Sequence, residues 1–305
     1  MEQDAQSVRA NQQESVLRER GAFPRFIARF TLARILLFGA LLLAALIGLQ
    51  IGVAFVAHQI PRPVRPLWLL PAELLYGGLM LWLYCTLVRY FERREVLELA
   101  RRGAARRIAV GALLGAVLFS IVYAVMALGG YVQQVRFGGF AGFWSPLATA
   151  VGAGVGEELV FRGVIFRMTE ERLGTAAALI VSSLLFGLVH AANVGATPVS
   201  TAAIALEAGA LLGIAYSASR NLWLPIGLHF GWNFTEGGVF GTAVSGGQSR
   251  GLLDSVLSGP NLMTGGNFGP EASLIAVAVS LAATVAIGLW TVRHGRWCPW
   301  NPQRR

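Results

Sequence analysis

The chain has 305 residues, 55% of them hydrophobic and 13% charged, where soluble domains carry about 25% charged residues. That composition excludes an ordinary soluble domain and points to a polytopic membrane protein. The formal net charge of +9 is carried by arginine with no lysine. Most of it lies between apolar runs, so membrane topology explains it better than a nucleic-acid partner, and none is expected.

Residues 1–29 are polar and hold Arg9, Arg18, Arg20, Arg25 and Arg29, which suits a cytosolic N-terminal tail. A membrane-crossing helix needs roughly 20 apolar residues. Eight runs qualify as candidates: about 30–56, 67–91, 108–129, 143–166, 174–192, 199–218, 222–237 and 271–292. The first is too long for a signal-peptide core and lacks a cleavage site, so it reads as a retained span. The seventh is short and broken by Pro225, His229 and Asn233. The loop at 89–107 is rich in arginine, as is the tail at 293–305. Short cytosolic loops collect arginine, so both termini are placed inside and 237–270 becomes the longest external loop. Cys85 and Cys298 support neither a disulfide framework nor a CxxC metal pair. The expected fold is an all-α bundle of about eight spans, without a repeat or a soluble domain.

Several spans carry polar residues that hydrocarbon disfavours. The stretch EELVFR puts Glu157, Glu158 and Arg162 inside an apolar run, where one charge costs about 2.5–3.5 kcal/mol on insertion scales. Glu158 and Arg162 are four apart and can pair on one helix face. Glu157 then points elsewhere, on a face with the small residues Ala150, Ala153 and Gly154 that would admit another helix. Helix-end charges with Arg162 reaching the interface are the plainer reading, but His190 and His229 also fall within spans. His229 and Asn233 share a face four apart, and Phe186 and Gly187 flank His190 on its own helix. Glu207 adds a carboxylate in the sixth span, either part of a site or a protonated packing group. A carboxylate and an imidazole can deprotonate water, and a second imidazole with an amide can meet an oxyanion. The set suits water attack on an amide carbonyl, while HExxH is missing and the GxSxG match GQSRG at 247–251 falls in the Gly- and Ser-rich loop, away from any strand-to-helix turn.

The motifs EELVFR (Glu157, Glu158, Arg162), FGLVH (Phe186, His190) and HFGWN (His229, Asn233), in this order on successive spans, resemble those of the CPBP intramembrane proteases, also called the Abi or type II CAAX prenyl protease family. The resemblance covers about residues 140–240. It implies a transmembrane protease domain over 30–292 with a buried polar site. Within it Glu157 and His190 would activate water, His229 and Asn233 would stabilise the oxyanion, and Glu158, Arg162 and Phe186 would support them. Zinc on Glu157, His190 and His229, with Glu158 as base, is the other version. The metal-free one is preferred because Arg162 occupies Glu158. The expected partners are membrane lipids and a membrane-associated or lipidated peptide or protein, and the expected location is a bacterial inner membrane. The competing reading is a non-enzymatic protein, either a proton-coupled transporter or a bacteriocin immunity factor acting by binding. Transport is disfavoured because no matching broken spans occur.

Overall fold

The computed structural model describes residues 30–61 and 64–301, so the expected tail over 1–29 lies outside the described residues, as do 302–305. Among the described residues the main helical runs are α1 (Thr31–Gln59), α2 (Arg65–Leu87), α3 (Ala104–Leu128), α4 (Phe140–Glu158), α5 (Arg167–His190), α6 (Pro198–Ser219), α7 (Trp223–Asn233) and α8 (Leu274–Arg293). Among the described residues, six helices are long and apolar enough to cross a membrane, counting Phe140–His190 as one run. That run is broken at Gly174 (φ 81°, ψ 173°), a conformation open to glycine and costly for other residues. With its 11 residues α7 is too short to qualify by length. The chain is an integral, multi-pass membrane protein.

The bundle is not purely helical. Val132–Phe137 (β1) and Leu253–Leu257 (β2) pair antiparallel, from Phe137 opposite Leu253 to Val132 opposite Leu257, with an irregularity between Val132 and Gln134. The chain is mostly helical, as expected, and this short ribbon is the departure from an all-α bundle. The loops after α3 and α7 leave the same end of the bundle, and their extended backbones satisfy each other's hydrogen bonds.

At the other end the loops meet in an ionic knot. Arg167 bonds Glu92 at 2.7 Å, and Arg94 bonds Glu92 at 2.6 Å and Glu98 at 2.7 Å. Tyr84 donates to Glu98 at 2.5 Å, and the Leu222 amide donates to the Glu98 carbonyl at 2.8 Å. Burial disfavours the charged form of Glu98, but its bonds to Arg94 and Tyr84 and the nearby Arg167 charge prevail and hold its carboxyl below the usual range. The knot ties α2, the start of α5 and the start of α7 together. The residues after α8 join the same end, where the Thr175 amide donates to the Cys298 carbonyl at 2.8 Å.

The closest helix pair is α3 with α7. A Cβ on Gly115 would lie 2.2 Å from the Leu228 carbonyl oxygen, and one on Gly231 would lie 2.1 Å from that of Ala112. Small residues four apart let backbones touch where lipid gives no hydrophobic drive for helix association. This contact fixes the helix that carries His229 and Asn233.

A side chain at Gly231 therefore has to push two backbones apart. Gly231→Val should lower the unfolding midpoint in detergent by the equivalent of at least the 1–3 kcal/mol of ordinary overpacking. Gly48→Ala, where nothing lies within 4 Å, should leave the midpoint unchanged or raise it.

Candidate active site

The site forms where α4, α5, α6 and α7 meet, and each of these runs contains or adjoins a widened turn. Leu159–Phe166 follows α4, Ala205–Gly209 interrupts α6 and Phe234–Val239 follows α7, all in π geometry. Such turns free backbone groups and often mark functional sites. No water is available in hydrocarbon to satisfy the freed groups, so side chains have to do it. Arg162 donates from Nη2 to the carbonyls of Ala208 at 3.1 Å and Gly209 at 3.0 Å.

The expected pair forms: Arg162 Nη1 donates to Glu158 Oε1 at 2.8 Å with both side chains fully buried. The same oxygen takes a second partner, His229 Nδ1 at 3.0 Å. Glu158 thus joins α4 to α7, and Gly154 makes room for this crossing. Its Cβ would come within 3.2 Å of the Ile226 carbonyl, so α7 is the helix that the small face of α4 admits. A carboxylate only accepts, so Nδ1 of His229 carries a proton and Nε2 is left for the cavity. Phe186 lies beneath both, with the Arg162 guanidinium 4.6 Å from its ring centre and the His190 ring 4.7 Å away.

His190 is held from its own helix. Its Nδ1 lies 2.7 Å from the Phe186 carbonyl oxygen, which again places the proton on Nδ1 and the lone pair on Nε2. That Nε2 is 3.9 Å from Glu157 Oε2, and Glu157 is half-buried. Glu157, His190, His229 and Asn233 all line one cavity of about 290 Å³. Its roof is the loop after α7, pinned where Asn193 Nδ2 donates to the Ser245 carbonyl at 3.0 Å.

Glu207 lies to one side, in a pocket of about 20 Å³ that Phe186, His190, His229 and Asn233 also line. A water needs about 10–15 Å³ in this measure, so the pocket has room for one. Glu271 and Ser245 line it as well, and reading the motifs did not single them out. Glu271 Oε1 accepts from the Ser245 amide at 2.6 Å and from Ser245 Oγ at 2.8 Å. In sequence Glu271 looks like the ordinary acid at a helix start, so nothing local distinguishes it. Glu236 is fully buried beside Glu271, whose amide donates to it at 3.3 Å. The folded-back roof loop encloses it.

The donor chemistry of Glu157, His190 and His229 suits zinc, and a committed Nδ1 is the usual state of a metal-bearing histidine. Their placement does not suit it. Among the described residues no three His, Cys, Asp or Glu side chains are gathered to hold one ion. Glu158, the base of that version, is fully buried and already bonded to Arg162 and His229.

Residues 138–235 match the family model described as Rce1-like, type II CAAX prenyl endopeptidase Rce1-like. No curated protein and no solved structure matches the chain. The matched stretch is a CAAX protease family domain, and it contains Glu157, Glu158, Arg162, Phe186, His190, His229 and Asn233.

Removing one partner of a buried ion pair strands the other charge, at a cost of about 3–5 kcal/mol. Arg162→Met should therefore destabilise the protein by that amount in detergent unfolding, and it also leaves two π-turn carbonyls unsatisfied. Glu158→Gln combined with Arg162→Met should recover much of the stability without restoring any cleavage.

Proposed function

We propose that this Rce1-like domain is an intramembrane endopeptidase that cleaves membrane-associated or lipidated peptides with water activated by Glu157 and His190. The observation that carries the reading is the 3.9 Å separation of Glu157 Oε2 from His190 Nε2 at the wall of a cavity that His229 and Asn233 share. The gap is too long for a direct hydrogen bond and suits a bridging water. Such a water donates one hydrogen to the Glu157 carboxylate and the other to the His190 lone pair.

When water attacks the scissile carbonyl, Glu157 takes its proton and a tetrahedral oxyanion forms. The Asn233 amide donates to that oxygen. So does Nε2 of His229 when the ring is an imidazolium, its Nδ1–H still donating to Glu158. As the C–N bond breaks, Glu157 returns the proton to the leaving amine, and the carboxylate and both products result. Oriented donors in a water-poor site stabilise such an oxyanion far better than bulk water does. Glu158 and Arg162 hold the geometry from behind, and Glu207 borders the side pocket.

The alternative of a proton-coupled transporter draws on the buried Glu207, Glu236 and Glu271. A transport path has to reach both ends of the bundle, whereas below the site Glu158, Arg162 and Phe166 are wholly buried and sealed. The orientation with both termini inside rests on the arginine-rich loop at 89–107.

Glu157→Gln and His190→Ala should each lower the rate of cleavage by the purified protein by about 10²–10⁴-fold, the range for a lost general base. His229→Ala and Asn233→Ala should cost about 10²–10³-fold. All four should stay folded. Comparing membrane peptides from cells carrying the active protein and the Glu157→Gln variant identifies the substrate. Wild-type cleavage by Glu157→Gln would refute the assigned base, and loss of activity to a chelator, restored by zinc, would refute the metal-free chemistry.

A further inference from the structure

Away from the site, α3, α6, α7 and α8 leave an open groove of about 590 Å³ at the arginine-rich end of the bundle, within the usual size range of ligand sites. Its walls are apolar, with Leu114 of α3, Ala215 of α6 and Ile287 of α8. The half-exposed Trp290 stands beside it, and Arg107 and Arg296 lie on its rim.

The ion pairs at this end do not include the two rim arginines. Arg34, Arg94, Arg167 and Arg220 each meet a glutamate carboxylate. Arg107 donates only to the Arg102 carbonyl at 2.6 Å, and Arg296 to the Ala218 carbonyl while its guanidinium lies 5.3 Å from the Trp290 ring. Among the described residues neither has an acidic partner. Each guanidinium has five N–H donors, so both keep capacity for an anion.

The groove therefore combines two guanidiniums that have no acidic partner among the described residues with an apolar wall at membrane depth. Tryptophan and arginine at such a position mark the headgroup level. A neutral lipid would leave both guanidiniums unmet, and a free phosphate would leave the wall uncovered. We propose that this groove is a binding site for one anionic phospholipid, its phosphate held by Arg107 and Arg296 and an acyl chain lying against the partly exposed Leu114 and Ile287. Basic pockets between helices at the cytoplasmic face are a known setting for acidic headgroups.

The full chain in maltoside micelles provides the test, with native mass spectrometry and thermal unfolding as readouts. Phosphatidylglycerol should be retained and should raise the unfolding midpoint, phosphatidylcholine should do neither to the same degree, and soluble glycerol phosphate should have no effect. Arg107→Gln should weaken phosphatidylglycerol binding about fivefold, the equivalent of about 1 kcal/mol per charge near a membrane surface. Leu114→Trp, which fills the groove and leaves its charges, should abolish preferential retention. Equal retention of the two lipids, wild-type phosphatidylglycerol binding in both variants, or an equal response to glycerol phosphate would overturn the site.

Discussion

One carboxylate oxygen, Oε1 of Glu158, accepts from both Arg162 and His229. Buried without partners, each of those groups would cost several kcal/mol, so the three stabilise the fold only as a set. Because Arg162 also satisfies two carbonyls freed in α6, the set joins α4, α6 and α7 around one point. The π turns fit this logic. They would be unsatisfied defects in hydrocarbon, and Arg162 makes one of them a point of attachment.

This frame separates two adjacent carboxylates by role. Glu158 is fully enclosed, and Glu157, one residue earlier, reaches the cavity. The same division holds for the histidines, each of which commits Nδ1 to a fixed oxygen and keeps Nε2 for the cavity. The α3–α7 glycine contact and the roof loop then set where α7 and the cavity mouth lie. Positioning of this kind, with groups held before a substrate arrives, is how a site keeps reacting atoms aligned.

Much of this could be read in the sequence because it is periodic. The four-residue spacing of Glu158 and Arg162 announces their pair, and that of His229 and Asn233 places both on one face. The predicted boundary between 166 and 174 falls where Gly174 breaks the helix. What stayed hidden depends on contacts between distant segments. The bond from His229 to Glu158 spans 71 positions and exists because Gly154 lets α7 approach. The β1–β2 pairing joins two loops that carry no hairpin signal, and Glu236 and Glu271 look like surface acids until the roof loop folds over them. The π turns have no composition of their own, since Leu159–Phe166 is as apolar as any span.

The central claim, that Glu158 orients His229 from behind while His190 is oriented independently, is tested most directly by ¹⁵N NMR of imidazole-labelled protein in micelles. The account predicts a protonated, hydrogen-bonded Nδ1 on both rings, with only the His229 signal shifting in Glu158→Gln. A His229 ring with bare Nδ1, or one that does not respond to Glu158→Gln, would contradict it.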